Sequence, residues 1–150
     1  KIDIIKNAID LAHALNIFMP KVALLSGTET PIPSMPSSQE AKQLVTLMAQ
    51  GLKGEALIDG PFALDNAISS EAANLKGVSG PVAGNADILV VPNIETGNSL
   101  FKMMVYFMSA VAAGIVLGGK VPIMLTSRGD PPEARVASAA LANLIANKTL

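Results

Sequence analysis

The run Thr126-Ser127-Arg128-Gly129-Asp130, with Glu133 three residues on, gathers hydroxyls, a guanidinium, two carboxylates and a glycine in one short stretch. An apolar run precedes it, and Asp130-Pro131-Pro132-Glu133 has the composition of a helix start. A strand-to-helix turn of this kind leaves backbone N–H groups without intrahelical partners, and these favour an anion. Ser127 would add a hydroxyl donor, Arg128 a planar and permanent charge suited to phosphate, and Gly129 room for close backbone approach. The same residues also read as an ordinary turn with an exposed arginine. Asp130 and Glu133 read first as helix-capping residues, with a catalytic role left open to either.

A second connection, Pro92 to Asn98, lies between an apolar run and a helix, with Lys102 one turn further on. Asn93, Gly97, Asn98 and Lys102 would line a cleft there, or form a plain loop with a solvated lysine. Asp59, Asp65 and Asn66 surround Gly60-Pro61 and have the same standing. Two spaced carboxylates are a weak divalent-metal signal, and no metal is expected. His13 is the only histidine and falls on the first helix pattern, away from any strand end, so its expected role is structural. The absence of cysteine removes thiolate nucleophiles, disulfides and cysteine-held metals. No GxGxxG or Walker A pattern speaks for a dinucleotide site or a kinase.

Strands must hold these loops. Ile2 to Leu15 repeats Ile2, Ile5, Ile9 and Ala12 at helical spacing, and Pro20 stops it. Lys21–Leu25, Glu55–Asp59, Asp87–Val91 and Val121–Leu125 read as short buried strands. The spacing predicts helices over Ser37 to Leu52, with a Ser37/Glu40 capping box, then Ala63 to Leu75, Ser99 to Leu117, and Asp130 to about Asn147. Thr28 to Ser38 is a proline-rich loop, Gly60-Pro61 a turn, and Gly77 to Gly84 an extended loop. Strands alternating with helices indicate an α/β fold with a mainly parallel sheet covered by helices in three αβα layers. In such sheets ligands bind beyond the carboxyl ends of the strands, where the candidate loops fall.

The 150 residues are half hydrophobic, enough to bury a sizeable core in one domain or half of a larger one. A net charge of -1 and 3% aromatics give no footing for nucleic acid. The uncharged run Met103 to Gly119 falls short of the ~20 apolar residues of a membrane span and reads as a buried helix ending at Gly118-Gly119. No secretory signal opens the chain, and a cytoplasmic location is expected. The chain begins at Lys1 inside a helix pattern, which reads as the continuation of a longer polypeptide or as a trimmed terminus.

Three stretches, in order and at consistent separation, resemble phosphate acetyltransferases and phosphate butyryltransferases. They are Asp59-Gly60-Pro61-Phe62-Ala63-Leu64-Asp65-Asn66-Ala67-Ile68, then Ala86-Asp87-Ile88-Leu89-Val90-Val91-Pro92-Asn93 with Gly97-Asn98, and Val121 to Arg128. The butyryl branch fits better, through Asp59-Gly60-Pro61 and the Ser127-Arg128 turn followed by Asp130. The resemblance implies the C-terminal half of a two-lobed fold like that of isocitrate and isopropylmalate dehydrogenases. About 1–118 would be the second lobe, and 121–150 a segment returning to the first. It implies transfer of a short acyl group between coenzyme A and phosphate, with coenzyme A as a substrate and no resident cofactor, in a homo-oligomer, commonly a dimer. Arg128 resembles the family arginine proposed to hold phosphate or the acyl group, and Ser127 the serine proposed to donate at the reacting centre. Acetyl-type relatives place an aspartate seven residues after that serine; here the position is Ala134, which leaves the general base open between Asp130, Glu133 and a group elsewhere. The alternatives are a coenzyme A-binding or oligomerisation half without chemistry, and a related two-lobed acyl phosphate synthase or dehydrogenase.

Overall fold

The computed structural model describes residues 1–148 of the chain. They form two units, Lys1–Thr96 and Gly97–Leu150. In the first unit, α1 (Ile2–Ala14) buries Ile5, Ile9 and Ala12 at the spacing read from the sequence. Strand β1 (Lys21–Leu25) is the centre of a parallel sheet with β2 (Leu57–Phe62) on one side and β3 (Ile88–Val90) on the other. Val22 and Leu24 face a core built with Ile5 and Ile9 of α1 and with Ala41, Leu44 and Met48 of α2 (Pro36–Met48). Ala23 and Leu25, on the opposite face, are equally buried, which requires cover on both sides of the sheet. The α/β reading with a parallel sheet therefore holds for this unit.

Several expected boundaries move. Helix α2 starts at Pro36, because proline at the first helical position replaces the capping box. Ser37 Oγ instead meets Ser26 Oγ at 2.9 Å, and Glu40 pairs with Lys1. Strand β2 begins two residues later than expected and runs through Gly60-Pro61, whose peptide bond is cis, so this dipeptide lies in the strand rather than in a turn. The pairing with β1 shifts register between Ala23 and Leu25. The single helix expected over Ala63 to Leu75 is two, α3 (Leu64–Ile68) and α4 (Ser70–Leu75), because Ser69 leaves helical backbone and its Oγ accepts the Ala72 N–H at 3.2 Å. Gly84 packs its backbone onto α4: a Cβ there would lie 2.4 Å from Ser70 Cα, and its φ is +72°.

The second unit departs further from expectation. The helix expected over Ser99 to Leu117 is α5 (Ile94–Phe107). Asn93 starts it early by accepting the Thr96 N–H at 2.9 Å, and Ser109, at φ 54°, ends it early in left-handed backbone. The apolar run beyond Phe107 is not a continuous buried helix. It becomes an irregular segment and strand β4 (Ile115–Val116), and no residue of α5 is buried. The fourth strand, expected over Val121 to Leu125, is β5 (Ile123–Met124). It pairs antiparallel with β4 and lies outside the parallel sheet, because Gly118 at φ 94° lets the chain reverse. Helix α6 (Pro132–Lys148) follows, and Ser138 on it is buried, accepting the Gly114 N–H at 3.0 Å. Among the described residues no helix is long and apolar enough to cross a membrane.

Candidate functional site

The turn between β5 and α6 is held by two hydrogen bonds between Ser127 and Asp130, one to the Asp130 side chain and one between backbones. The Ser127 N–H donates to Asp130 Oδ2 at 2.6 Å, and the Asp130 N–H donates to the Ser127 carbonyl at 3.1 Å. The Ser127 amide, expected to be free for an anion, is therefore engaged by a carboxylate. Asp130 closes the turn instead of capping α6. Ser127, Arg128 and Glu133 are exposed. Arg128 and Glu133 make no hydrogen bond or ion pair among the described residues, so the guanidinium and the Glu133 carboxylate are both available to a ligand.

Helix α5 brings two more groups to this turn. A Cβ on Gly129 would lie 3.5 Å from Tyr106 Oη, which places the phenol hydroxyl beside the glycine. The Lys102 ammonium lies 5.6 Å from the centre of the Tyr106 ring and 5.7 Å from that of Phe101, distances at which a cation is attracted to the ring face. Lys102, which the sequence singled out, thus reaches the turn's neighbourhood through Tyr106, which it did not. A tyrosine four residues after the lysine, on the same helical face, was the only available signal. Gly97 and Asn98 belong to the first turns of α5, not to a loop as expected, because Asn93 caps the helix ahead of them.

Beside the turn is a cavity of about 390 Å³. Val105 of α5, Ala110, Val111, Ala112, Pro131 and Ala134 give it a mainly apolar lining, to which Ser109 adds a hydroxyl and Asp130 and Glu133 add carboxylates. Ala134 is 3% exposed.

The first unit holds a separate polar cluster at the carboxyl end of its sheet. Lys76 Nζ lies 2.8 Å from Asp65 Oδ2 and 3.4 Å from Glu29 Oε1. Asn66 donates its Nδ2 to the same Glu29 oxygen, and its Oδ1 is buried with no hydrogen-bond partner among the described residues. The hydrogen bond from Lys76 holds the Asp65 carboxyl below its ordinary range, and the same contact raises the Lys76 ammonium. Asp65 and Asn66 were legible as polar loop residues; Glu29 and Lys76 carry no local signal, lying 47 residues apart. Asp59 accepts its neighbour Gly60's N–H at 2.8 Å. His13 Nε2 meets the Glu55 carbonyl at 2.9 Å, the structural role expected of it. Among the described residues, no three His, Asp or Glu side chains converge as a metal site would require.

Beyond the strand ends, then, the chain presents an exposed arginine and serine on a short turn, an apolar cavity and acidic groups at its edge. Residues 1–143 match the family model described as phosphate acetyl/butaryl transferase, and the chain belongs to that family. It is 51% identical to the phosphate acetyltransferase of Rickettsia prowazekii over 99% of its length. It is 46% identical to the phosphate butyryltransferase of Clostridium acetobutylicum over 97%. Among solved structures, the branched-chain phosphotransacylase of Enterococcus faecalis superimposes over 97% of the chain, with a TM-score of 0.88 and 43% identity. The chain spans 43% and 48% of the two curated relatives and 52% of the solved chain, about half of each.

Proposed function

We propose that the protein containing this chain is a phosphate acyltransferase that interconverts acyl-CoA plus phosphate with acyl phosphate plus coenzyme A. The observation that carries this reading is membership of the family over residues 1–143, with relatives of both the acetyl and the butyryl kind. In the direction of acyl phosphate synthesis, a phosphate oxygen attacks the thioester carbonyl. The carbon–oxygen bond forms, the carbon–sulfur bond breaks, and the leaving thiolate takes a proton. In reverse, the thiol must lose that proton before it attacks, because the thiolate is the nucleophile.

Arg128 holds the phosphate by a bidentate, charge-assisted contact. The Ser127 hydroxyl donates to the charge that develops at the acyl oxygen. Glu133, unpaired and on the first turn of α6, is the better-placed proton carrier, since Asp130 is occupied with the Ser127 amide. Asn98 and Lys102 add polar and cationic contacts along α5. Coenzyme A is a substrate, and no resident cofactor is required. The remaining polypeptide supplies the other lobe of a two-lobed, dehydrogenase-like architecture, in a homo-oligomer of the cytoplasm. Exposure of Tyr106, Phe107, Met108 and Val121 supports the idea that further protein covers this surface.

The test is thiol release from butyryl-CoA by the full-length polypeptide, with and without inorganic phosphate. Release that requires phosphate, and formation of acyl phosphate in equal amount, is the expected result. Release independent of phosphate, or none, excludes the transferase.

A further inference from the structure

We propose that the first unit carries a second ligand site, a cavity between α1 and the end of α2 that takes a zwitterionic aliphatic α-amino acid of the size of leucine. It does not depend on the transferase reading, because none of its residues serves that reaction.

The cavity has a volume of about 400 Å³ and lies between α1 and the connection from α2 to β2. That is near the lower end of the range for small-ligand sites, about 300–1,000 Å³. Ile9, Met48 and Leu52 line it and are buried, whereas Ile2 and Leu47 line it and are exposed. An apolar wall therefore runs from the core to the surface. His13 Nε2 meets the Glu55 carbonyl at 2.9 Å, which ties the connection to α1 and sets both sides of the cavity before a ligand arrives.

Gly51 helps to keep the space open. Its backbone lies outside the left-handed region, and a Cβ there would meet nothing nearer than the Met48 carbonyl at 3.7 Å, an ordinary contact. The turn itself does not need a glycine. A larger side chain at this lining position would take up the room a ligand uses.

Three charged residues complete the lining, Lys6 and Asp10 of α1 and Glu55 of the connection. Lys6 and Asp10 stand four apart, the spacing at which a helix pairs opposite charges. Yet among the described residues the side chains of Lys6, Asp10 and Glu55 make no ion pair and no hydrogen bond, unlike Lys1 with Glu40 or Lys76 with Asp65. One cation and two carboxylates thus stand unpaired beside an apolar wall. An α-amino acid answers each: its carboxylate meets Lys6, its ammonium meets Asp10 and Glu55, and its side chain covers Ile9, Met48 and Leu52. A fatty acid would bring its charge to two like charges, and an alkylamine would meet Lys6 as a like charge. Phosphate and acyl-CoA are anions, which the carboxylate pair disfavours.

The experiment is isothermal titration calorimetry of L-leucine into the full-length polypeptide, where saturable binding with a Kd of about 1 mM or tighter is expected. 4-Methylpentanoate and 3-methylbutylamine each lack one charge, and glycine lacks the side chain; each should bind about tenfold more weakly or worse. Gly51→Leu fills the cavity and Lys6→Gln removes its cation, and each should weaken leucine binding by about tenfold or more. Circular dichroism checks their folding, and Lys6→Gln, at an exposed position, decides the matter alone if Gly51→Leu does not fold. Absence of saturable leucine binding, as when the rest of the polypeptide covers the cavity, overturns the site. So does 4-methylpentanoate binding as tightly as leucine, or leucine binding undiminished in the folded variants. None of these outcomes touches phosphate-dependent thiol release, which tests the transferase reading by itself.

Discussion

Asp130 Oδ2 accepts the backbone N–H of Ser127 at 2.6 Å, and the Asp130 N–H returns a bond to the Ser127 carbonyl at 3.1 Å. The Asp130 carboxylate thus closes a ring around Arg128 and Gly129. The turn is fixed before any ligand arrives, and the guanidinium is left on the outside of the ring. Asp130→Ala should destabilise the protein by about 1 kcal/mol, the net worth of such a hydrogen bond. Asp130→Asn, which keeps an acceptor oxygen, should recover most of that loss. Thermal unfolding of the three proteins measures it, and equal losses in both variants would show that the bond contributes nothing.

Ser127 and Arg128 should separate kinetically. On the proposed roles, Arg128 contacts an anion that is charged in both ground and transition states, so Arg128→Ala should raise the KM for phosphate by about tenfold or more, as expected for a charge-assisted bond. The Ser127 hydroxyl, in the proposed role, serves an oxygen that gains charge only during reaction. Ser127→Ala should therefore lower kcat by about a hundredfold and leave the phosphate KM nearly as it was. Steady-state kinetics on the full-length polypeptide would show it, and the reverse pattern would exchange the two roles.

Glu133→Gln tests the proton carrier. Loss of a general acid or base costs about 10²–10⁴ in rate, so kcat should fall by at least a hundredfold with the fold unchanged by circular dichroism. Turnover within about threefold of wild type would exclude Glu133 and return the role to Asp130 or to a group elsewhere.

How far the sequence could be read depended on how local the deciding interaction was. Helix α1 and strand β1 were legible because apolar spacing and Pro20 fix them within a few residues. The parallel sense of the sheet followed from uninterrupted apolar runs, whereas the order that puts β1 between β2 and β3 did not. The second unit was misread because Met103 to Gly119 looks like one buried helix by composition. Backbone conformation at Ser109 and Gly118 breaks it instead, and hydropathy does not report φ. The site was half legible: Ser127, Arg128 and Lys102 stood out by type and spacing. The carboxylate's hold on the Ser127 amide and the place of Tyr106 beside Gly129 are tertiary facts.

The Asp65–Lys76 pair predicts a pH dependence of stability at both extremes. The Asp65 carboxyl is held below its ordinary 3.8, so its contribution is complete above 3.8 and fades as pH falls through the lower folded value. The Lys76 ammonium is held above its ordinary 10.5, so its contribution is complete below 10.5 and fades as pH rises through the higher folded value. Both groups are solvent-exposed, so the effect is small and salt should weaken it. Asp65→Asn should lower the melting temperature at neutral pH, with the gap to wild type closing in strong acid. A gap that persists there, or that ignores salt, would place the variant's effect in packing around Asn66 rather than in the ion pair.

Gly84 is a position where a single methyl group should be costly. Its N–H donates to the Asn66 carbonyl at 2.7 Å, and its carbonyl accepts from Ser70 Oγ at 3.3 Å, so the residue ties the loop to α3 and to α4 at once. A Cβ would stand 2.4 Å from Ser70 Cα and 2.5 Å from Ser70 N, and both are backbone atoms that no rotamer change can move aside. A φ of +72° adds strain for any residue with a side chain. Gly84→Ala should therefore destabilise the first unit by about 1–3 kcal/mol, or by more if α4 is displaced and the loop lets go of Asn66. Thermal unfolding gives the loss. Hydrogen exchange of the Gly84 amide would locate it, because that N–H should lose protection while the amides of β1 keep theirs relative to the new global stability. A variant as stable as wild type, with the Gly84 amide still protected, would mean that α4 does not sit against this loop as the structure has it.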